Sequence, residues 1–144
     1  MNAQEMWEIY SRQRNIHAEY DAWSFGDDPD ILAQLVLSGK KTATASLRLW
    51  YDLEGEPLPE AGQYSVILDS QDQAVCIIRS IRVFVCAFCD VDEQQAWREG
   101  EGDRSLSYWR SVHERFFREE LAQSGLAFNE SMSVVCEEFE KVFP

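Results

Sequence analysis

Ser38–Leu47, read S-G-K-K-T-A-T-A-S-L, decides the fold because two chain geometries meet inside it. The preceding stretch, Asp28–Leu37, carries an aspartate cap, Pro29 at the first helical position, and Ile31, Leu32, Leu35 and Val36 at helical spacing. Gly39 ends that helix. From Lys41 the pattern becomes short and alternating, with threonines and small residues that suit a strand. Two adjacent lysines and a set of hydroxyls therefore fall at a helix-to-strand junction, where side chains face a cleft.

On the N-terminal side, Met6, Ile9, Tyr10, Gln13, Ile16 and Tyr20 recur at three- and four-residue intervals and predict an amphipathic helix over the first twenty residues. A loop from Asp21 to Asp27 follows, in which Trp23 and Phe25 are read as a hydrophobic plug or as a base-stacking platform at a pocket rim. On the C-terminal side the strand runs toward Trp50, and the prolines and glycines of Glu54–Gly62 make a loop. Gln63–Asp69 and Ala74–Phe88 read as a hairpin whose second arm bends near Arg79–Ser80. Asp92 and Ser105 each cap a helix, Gly125 closes the second, and Met132–Phe143 is a returning strand. The order predicts an α+β domain spanning residues 1–144 around a mixed or antiparallel, barrel-like sheet with flanking helices.

The chain has 144 residues, 45% of them hydrophobic, enough to bury a core without disulfides or a structural metal. No run is long and apolar enough to cross a bilayer, and Met1–Glu8 has acids where a signal peptide would be basic, so a cytoplasmic location is expected. Thirteen basic against twenty-six acidic side chains give a charge of −13, which opposes broad binding to a phosphate backbone. Residues 1–50 hold five basic and seven acidic groups, against three and ten in residues 51–100, so the lysine pair lies in the less acidic part. Cys86 and Cys89 form a lone C-x-x-C with no histidine or second pair to complete a tetrahedral site, and the four cysteines are read as reduced thiols.

G-K-K-T-A-T-A-S at Gly39–Ser46, with E-P-L-P-E-A-G-Q-Y-S-V-I-L-D at Glu56–Asp69 and E-G-E-G-D-R-S-L-S-Y-W-R at Glu99–Arg110, resembles the ASCH domain family over nearly the whole chain. The resemblance implies a β-barrel related to the PUA fold and a cleft over the G-x-K-x-x-T loop at Gly39, Lys41 and Thr44. It also implies roles with RNA or modified nucleosides. One small bacterial branch of the family removes the acetyl group from N4-acetylcytidine with a lysine, a threonine and a glutamate. Position in the motif matches these to Lys41, Thr44 and Glu99, with Glu101 the second choice for the acid. That branch has an arginine where this chain has Ser46. Longer members act as ribonucleases, so amide hydrolysis, ribonuclease action on single-stranded RNA and non-catalytic RNA binding all stay open.

The residues themselves fit a hydrolytic site. A threonine hydroxyl is a poor nucleophile until a neighbouring base takes its proton. Lys41 serves as that base only if its pKa falls well below ~10.4, and Lys40 and burial push that way. A nearby Glu99 favours the charged lysine, which suits Glu99 better to shuttling a proton or binding the leaving amine. Backbone amides at the glycine junction would hold an oxyanion. The expected cleft is lined by Lys40, Lys41, Thr44, Ser46, Glu99 and Glu101 with Trp23 or Phe25 at the rim; it calls for no cofactor or metal. Apart from the resemblance, Glu99, Glu101 and Asp103 read as acids of a solvated interhelical turn, a divalent-ion site suited to a metal-assisted nuclease being the less common alternative; Glu137, Glu138 and Glu140 read as exposed strand-edge charges, and His17 and His113 as local packing or surface residues.

Overall fold

The computed structural model describes residues 1–144. Asn2 caps helix α1 (Ala3–Arg14), and the left-handed Asn15 stops it before Ile16 and Tyr20, which the sequence periodicity had carried into the same helix. Tyr20–Ser24 is instead strand β1, where a loop was expected. It lies parallel to β3, a partner more than forty residues away that local pattern does not reveal. Helix α2 (Pro29–Leu37) has the Asp28 cap and Pro29 start read from the sequence, and Gly39 turns the chain at φ 84° into β2 (Ala43–Leu47). A short helix α3 (Arg48–Glu54) replaces the expected continuation of that strand. β3 (Tyr64–Leu68) and β4 (Ala74–Ala87) form the hairpin; Asp92 caps α4 (Glu93–Glu99), Ser105 caps α5 (Leu106–Ala122), and β5 (Ser133–Phe143) returns.

The sheet order is β1-β3-β4-β5-β2, with the β1–β3 pair parallel and the rest antiparallel. It is the mixed, barrel-like α+β architecture expected, curled as a half-barrel: the edge strands β1 and β2 do not pair, and a cleft opens between them. The bend in β4 is a bulge between Ser80 and Arg82, which leaves Ile81 unpaired and puts Ser80 and Val83 opposite Phe139 and Glu137, on one face.

Three apolar clusters hold the sheet. α1 covers Val66 and Ile77 on the outer face with Met6, Trp7 and Tyr10. α2 plugs one end of the concave face against Ile67, Cys76, Ile78 and Phe139, leaving the other end hollow. α4 and α5 pack Ala96, Trp109, Phe117 and Leu121 against Leu47, Val134 and Cys136. No helix is long and apolar enough to cross a membrane.

Gly100 fixes how close the α4 end comes to the α2–β2 junction. Its φ is 71°, and an added Cβ would overlap the Lys40 carbonyl. Gly100→Ala is expected to cost at least ~2 kcal/mol by chemical denaturation, from strain and overlap together. Gly125→Ala, at φ 70° with open space around it, is the control that carries backbone strain alone, about 1–2 kcal/mol. Equal losses would show that the close approach is not what the glycine provides.

Candidate active site

The α2–β2 junction turns Lys41 inward, and the side chain is only 2% exposed. Its Nζ donates to Glu99 Oε1 at 3.3 Å, to Glu101 Oε2 at 3.1 Å and to the Glu99 carbonyl at 3.5 Å, while the Phe25 ring lies 5.3 Å away. An ammonium has three donors and no acceptor, so these three bonds occupy all of them. Gly100 and Gly102, both at positive φ, let Glu99 and Glu101 wrap the lysine from two sides.

Glu99, at the last turn of α4, is 1% exposed. Oε1 accepts from Lys41 and from His113 Nε2 at 3.2 Å. Oε2 accepts from Gln95 Nε2 at 3.1 Å and from the Trp109 indole. His113 was read as a packing residue; its Nδ1 faces the Trp109 carbonyl at 2.9 Å, so both ring nitrogens meet oxygens that only accept, an arrangement that favours the imidazolium over the neutral ring. With His113 protonated, Lys41, His113, Glu99 and Glu101 form a charge-balanced, largely buried quartet. A helical position four residues after Trp109 was the only trace of His113 in the sequence, and it does not distinguish packing from pairing.

Burial alone would push the Glu99 carboxyl up, but the charges of His113 and Lys41 and the bonds from His113 and Trp109 outweigh it and hold it well below the usual carboxylate range. For His113 burial acts downward, and the charge and hydrogen bond of Glu99, then Glu101, overcome it against Lys41 and raise the imidazole pKa. Glu99, Glu101 and His113 bring their ligand atoms within 4.8 Å of one another, a spacing that would suit a metal ion. The Lys41 ammonium already stands between the two carboxylates. Asp103 points elsewhere, accepting from the Ser105 backbone at 2.9 Å as a turn residue.

Thr44 lies where two spaces meet. On one side is a hollow of about 50 Å³ beside Lys41, Glu99 and His113; on the other is the open seam of the half-barrel, a cleft of about 730 Å³. Phe25, Gly26, Ala45 and Phe116 border both. Ser46 lines the cleft and shares a 3.2 Å hydrogen bond with Tyr51 on α3. Trp23 lines it too, edge-on to the buried Phe25 with ring centres 5.0 Å apart. Lys40 is exposed and borders neither space, because one residue earlier in the turn points outward. Glu137, expected at an exposed edge, is 8% exposed and lines the cleft, since β5 is an interior strand.

The ASCH domain profile matches residues 21–143, which include every residue of this site. The chain belongs to the ASCH domain family. Among solved structures, protein EF3133 from Enterococcus faecalis V583 is 41% identical with a TM-score of 0.91, over 99% of this chain and 88% of that one. An ASCH domain from Lactobacillus crispatus JV V101 is 33% identical with a TM-score of 0.87, over 98% and 94%. A hypothetical protein, PH0355, is 17% identical at a TM-score of 0.57 over 86% and 100% of the two chains, and shares the fold alone. No curated protein matches the sequence. This ASCH domain has the PUA-like α+β fold that the motif implied.

Removing one partner of the quartet strands a buried charge. Glu99→Gln in this ASCH domain is expected to cost about 3–5 kcal/mol in chemical denaturation. Because folded His113 has its pKa raised, its stabilisation is complete below the unfolded value near ~6.5 and is lost as pH rises through the folded value. Glu99, with its pKa lowered, contributes above the unfolded value near ~4.3 and loses that contribution as pH falls through the folded one. Melting temperature should therefore fall as pH rises above ~6.5, and His113→Gln should flatten that limb. An unchanged limb would remove His113 from the quartet.

Proposed function

We propose that the seam cleft binds a nucleoside and that the site hydrolyses a small acylamide on its base, with N4-acetylcytidine as the model substrate. The observation that carries this reading is the position of Thr44, between the buried quartet and a cleft whose walls bear five carboxylates and no lysine, arginine or histidine. A phosphate backbone needs cations to neutralise it, so this lining speaks against RNA strands and ribonuclease action in the cleft and for a small uncharged ligand. Its volume suits such a ligand, and Trp23 supplies an aromatic face for a base.

In this reading Thr44 is the nucleophile. The acyl group enters the small hollow, where the Lys41 ammonium faces the carbonyl oxygen as it becomes an oxyanion. The 3.5 Å bond from Nζ to the Glu99 carbonyl, the longest of the three, is the one that the oxyanion replaces. Lys41 then acts as an electrostatic group and not as the base. Glu99 and His113 are positioning residues that keep the ammonium aimed at the hollow. Glu101 pairs with the lysine at the rim.

The test is chromatographic detection of cytidine released from N4-acetylcytidine by the folded protein. Thr44→Ala is expected to lower kcat/KM by about a thousand-fold or more, and Thr44→Ser to retain most of it. Affinity for cytidine should change little between ~50 and ~200 mM salt, whereas a backbone binder would lose orders of magnitude. No release at high enzyme concentration would reject the reaction for this protein.

A further inference from the structure

The proposed hydrolysis leaves two protons to be moved, one off Thr44 and one onto the departing amine. Glu99, to which the sequence assigned that work, has no capacity for it. Both its oxygens are taken by four donors, Lys41 and His113 on one, Gln95 and Trp109 on the other. Lys41 has no free lone pair while it serves two carboxylates as an ammonium.

We propose that Glu137 is the proton relay of the site. The inference rests on the amidohydrolase reading above. Glu137 is the residue directly opposite Thr44 across the β2–β5 ladder, and residues so paired project on the same face with side chains about 4.5–5.5 Å apart at Cβ. Both line the cleft. No cation pairs with Glu137: Arg82 and Arg98 on the opposite face both bind its neighbour Glu138, at 3.1 and 3.2 Å. Among the other cleft acids, Glu120 is engaged by the Trp50 indole at 2.6 Å, and Glu19, Asp21 and Glu56 are exposed at the mouth.

A buried carboxylate without a cation is costly, so its neutral acid form is favoured. Burial raises the Glu137 pKa, the Ser80 hydroxyl opposes this, and Asp21 adds to it. A neutral carboxyl offers a donor and an acceptor on adjacent oxygens. As the Thr44 oxygen forms its bond to the acyl carbon and the carbon–nitrogen bond breaks, the bonding pair passes to nitrogen. One Glu137 oxygen releases its proton to that nitrogen, and the other takes the proton from Thr44. In the second half water replaces the amine: its oxygen bonds to the acyl carbon, its proton goes to Glu137, and the Glu137 proton returns to Thr44 as the ester bond breaks. Amide and water become acid and amine, and Glu137 ends each half neutral, as a site without a cation requires.

The test compares N4-acetylcytidine hydrolysis and calorimetric cytidine binding for the parent, Glu137→Gln and Glu137→Asp. Glu137→Gln is expected to lower kcat by about 10²- to 10⁴-fold while cytidine affinity stays within about threefold. The active form is protonated, so parental kcat/KM should fall as pH rises through the folded Glu137 value. Burial sets that value first, with Ser80 on β4 opposing it and Asp21 on β1 adding to it; Tyr51 on α3 and Thr44 on β2 also face the carboxyl. Glu137→Asp, which keeps the carboxyl, should keep this limb and at least ~10-fold more activity than Glu137→Gln. Parental kcat in Glu137→Gln, or equal losses of kcat and cytidine affinity, overturns the relay and leaves the amidohydrolase reading standing. A parent that releases no cytidine overturns both. If Glu137→Gln does not fold, the parental pH profile and Glu137→Asp decide, and a profile without the alkaline limb overturns the relay.

Discussion

Glu99 places a carboxylate in a part of the protein that water does not reach, and the surrounding elements are arranged so that it is never without donors. Lys41 arrives from the α2–β2 junction, Gln95 from one turn earlier in α4, and Trp109 and His113 from α5. Each of these ties a segment to the others by a bond whose loss would leave a buried charge unsatisfied. Gln95 also donates to the Thr44 carbonyl at 3.3 Å, and the Thr42 amide donates to the Arg98 carbonyl at 2.7 Å, so α4 is fastened along the outer side of β2. The position of Thr44 relative to the quartet is thus set by backbone bonds as well as by packing.

The open seam follows from the same arrangement. β2 has α4 where a closing strand would lie, and β1 faces it across the cleft. The concave face is divided in two. Its apolar end is filled by α2, while Ser65, Ser80, Glu137 and Thr44 make the other end polar. A ligand entering the seam meets hydroxyls and carboxyls on a floor of paired strands, with aromatic side chains at the wall.

Much of this was legible wherever the signal is local. The Asp28 and Pro29 start of α2, the Gly39 turn, the hairpin and the caps of α4 and α5 are written in consecutive residues, and the structure has each of them. The G-x-K-x-x-T and E-G-E motifs brought Lys41, Glu99 and Glu101 together on the page as they are in the fold. β1 was hidden because its only partner is β3, far along the chain, and α3 because its start has no side-chain cap. Glu137 was misplaced because a run of acids reads as an exposed edge until β5 is known to lie inside the sheet. His113 was missed because one histidine in an amphipathic helix has the same spacing whether it packs or pairs.

The interior position of β5 also sets the order in which the molecule can be assembled. β2 leaves the ribosome well before its ladder partner, which begins at Ser133, after α3, β3, β4, α4 and α5 have been made. At ~5–20 residues per second the strand waits on the order of ten seconds for a neighbour. Its sequence, Ala-Thr-Ala-Ser-Leu, suits that delay, with small and hydroxylated residues that give a nascent strand little to adhere to. Thr44 gains its cross-strand neighbour Glu137 only with β5 in place between β2 and β4, so the cleft face of β2 depends on the strand made last in this sheet.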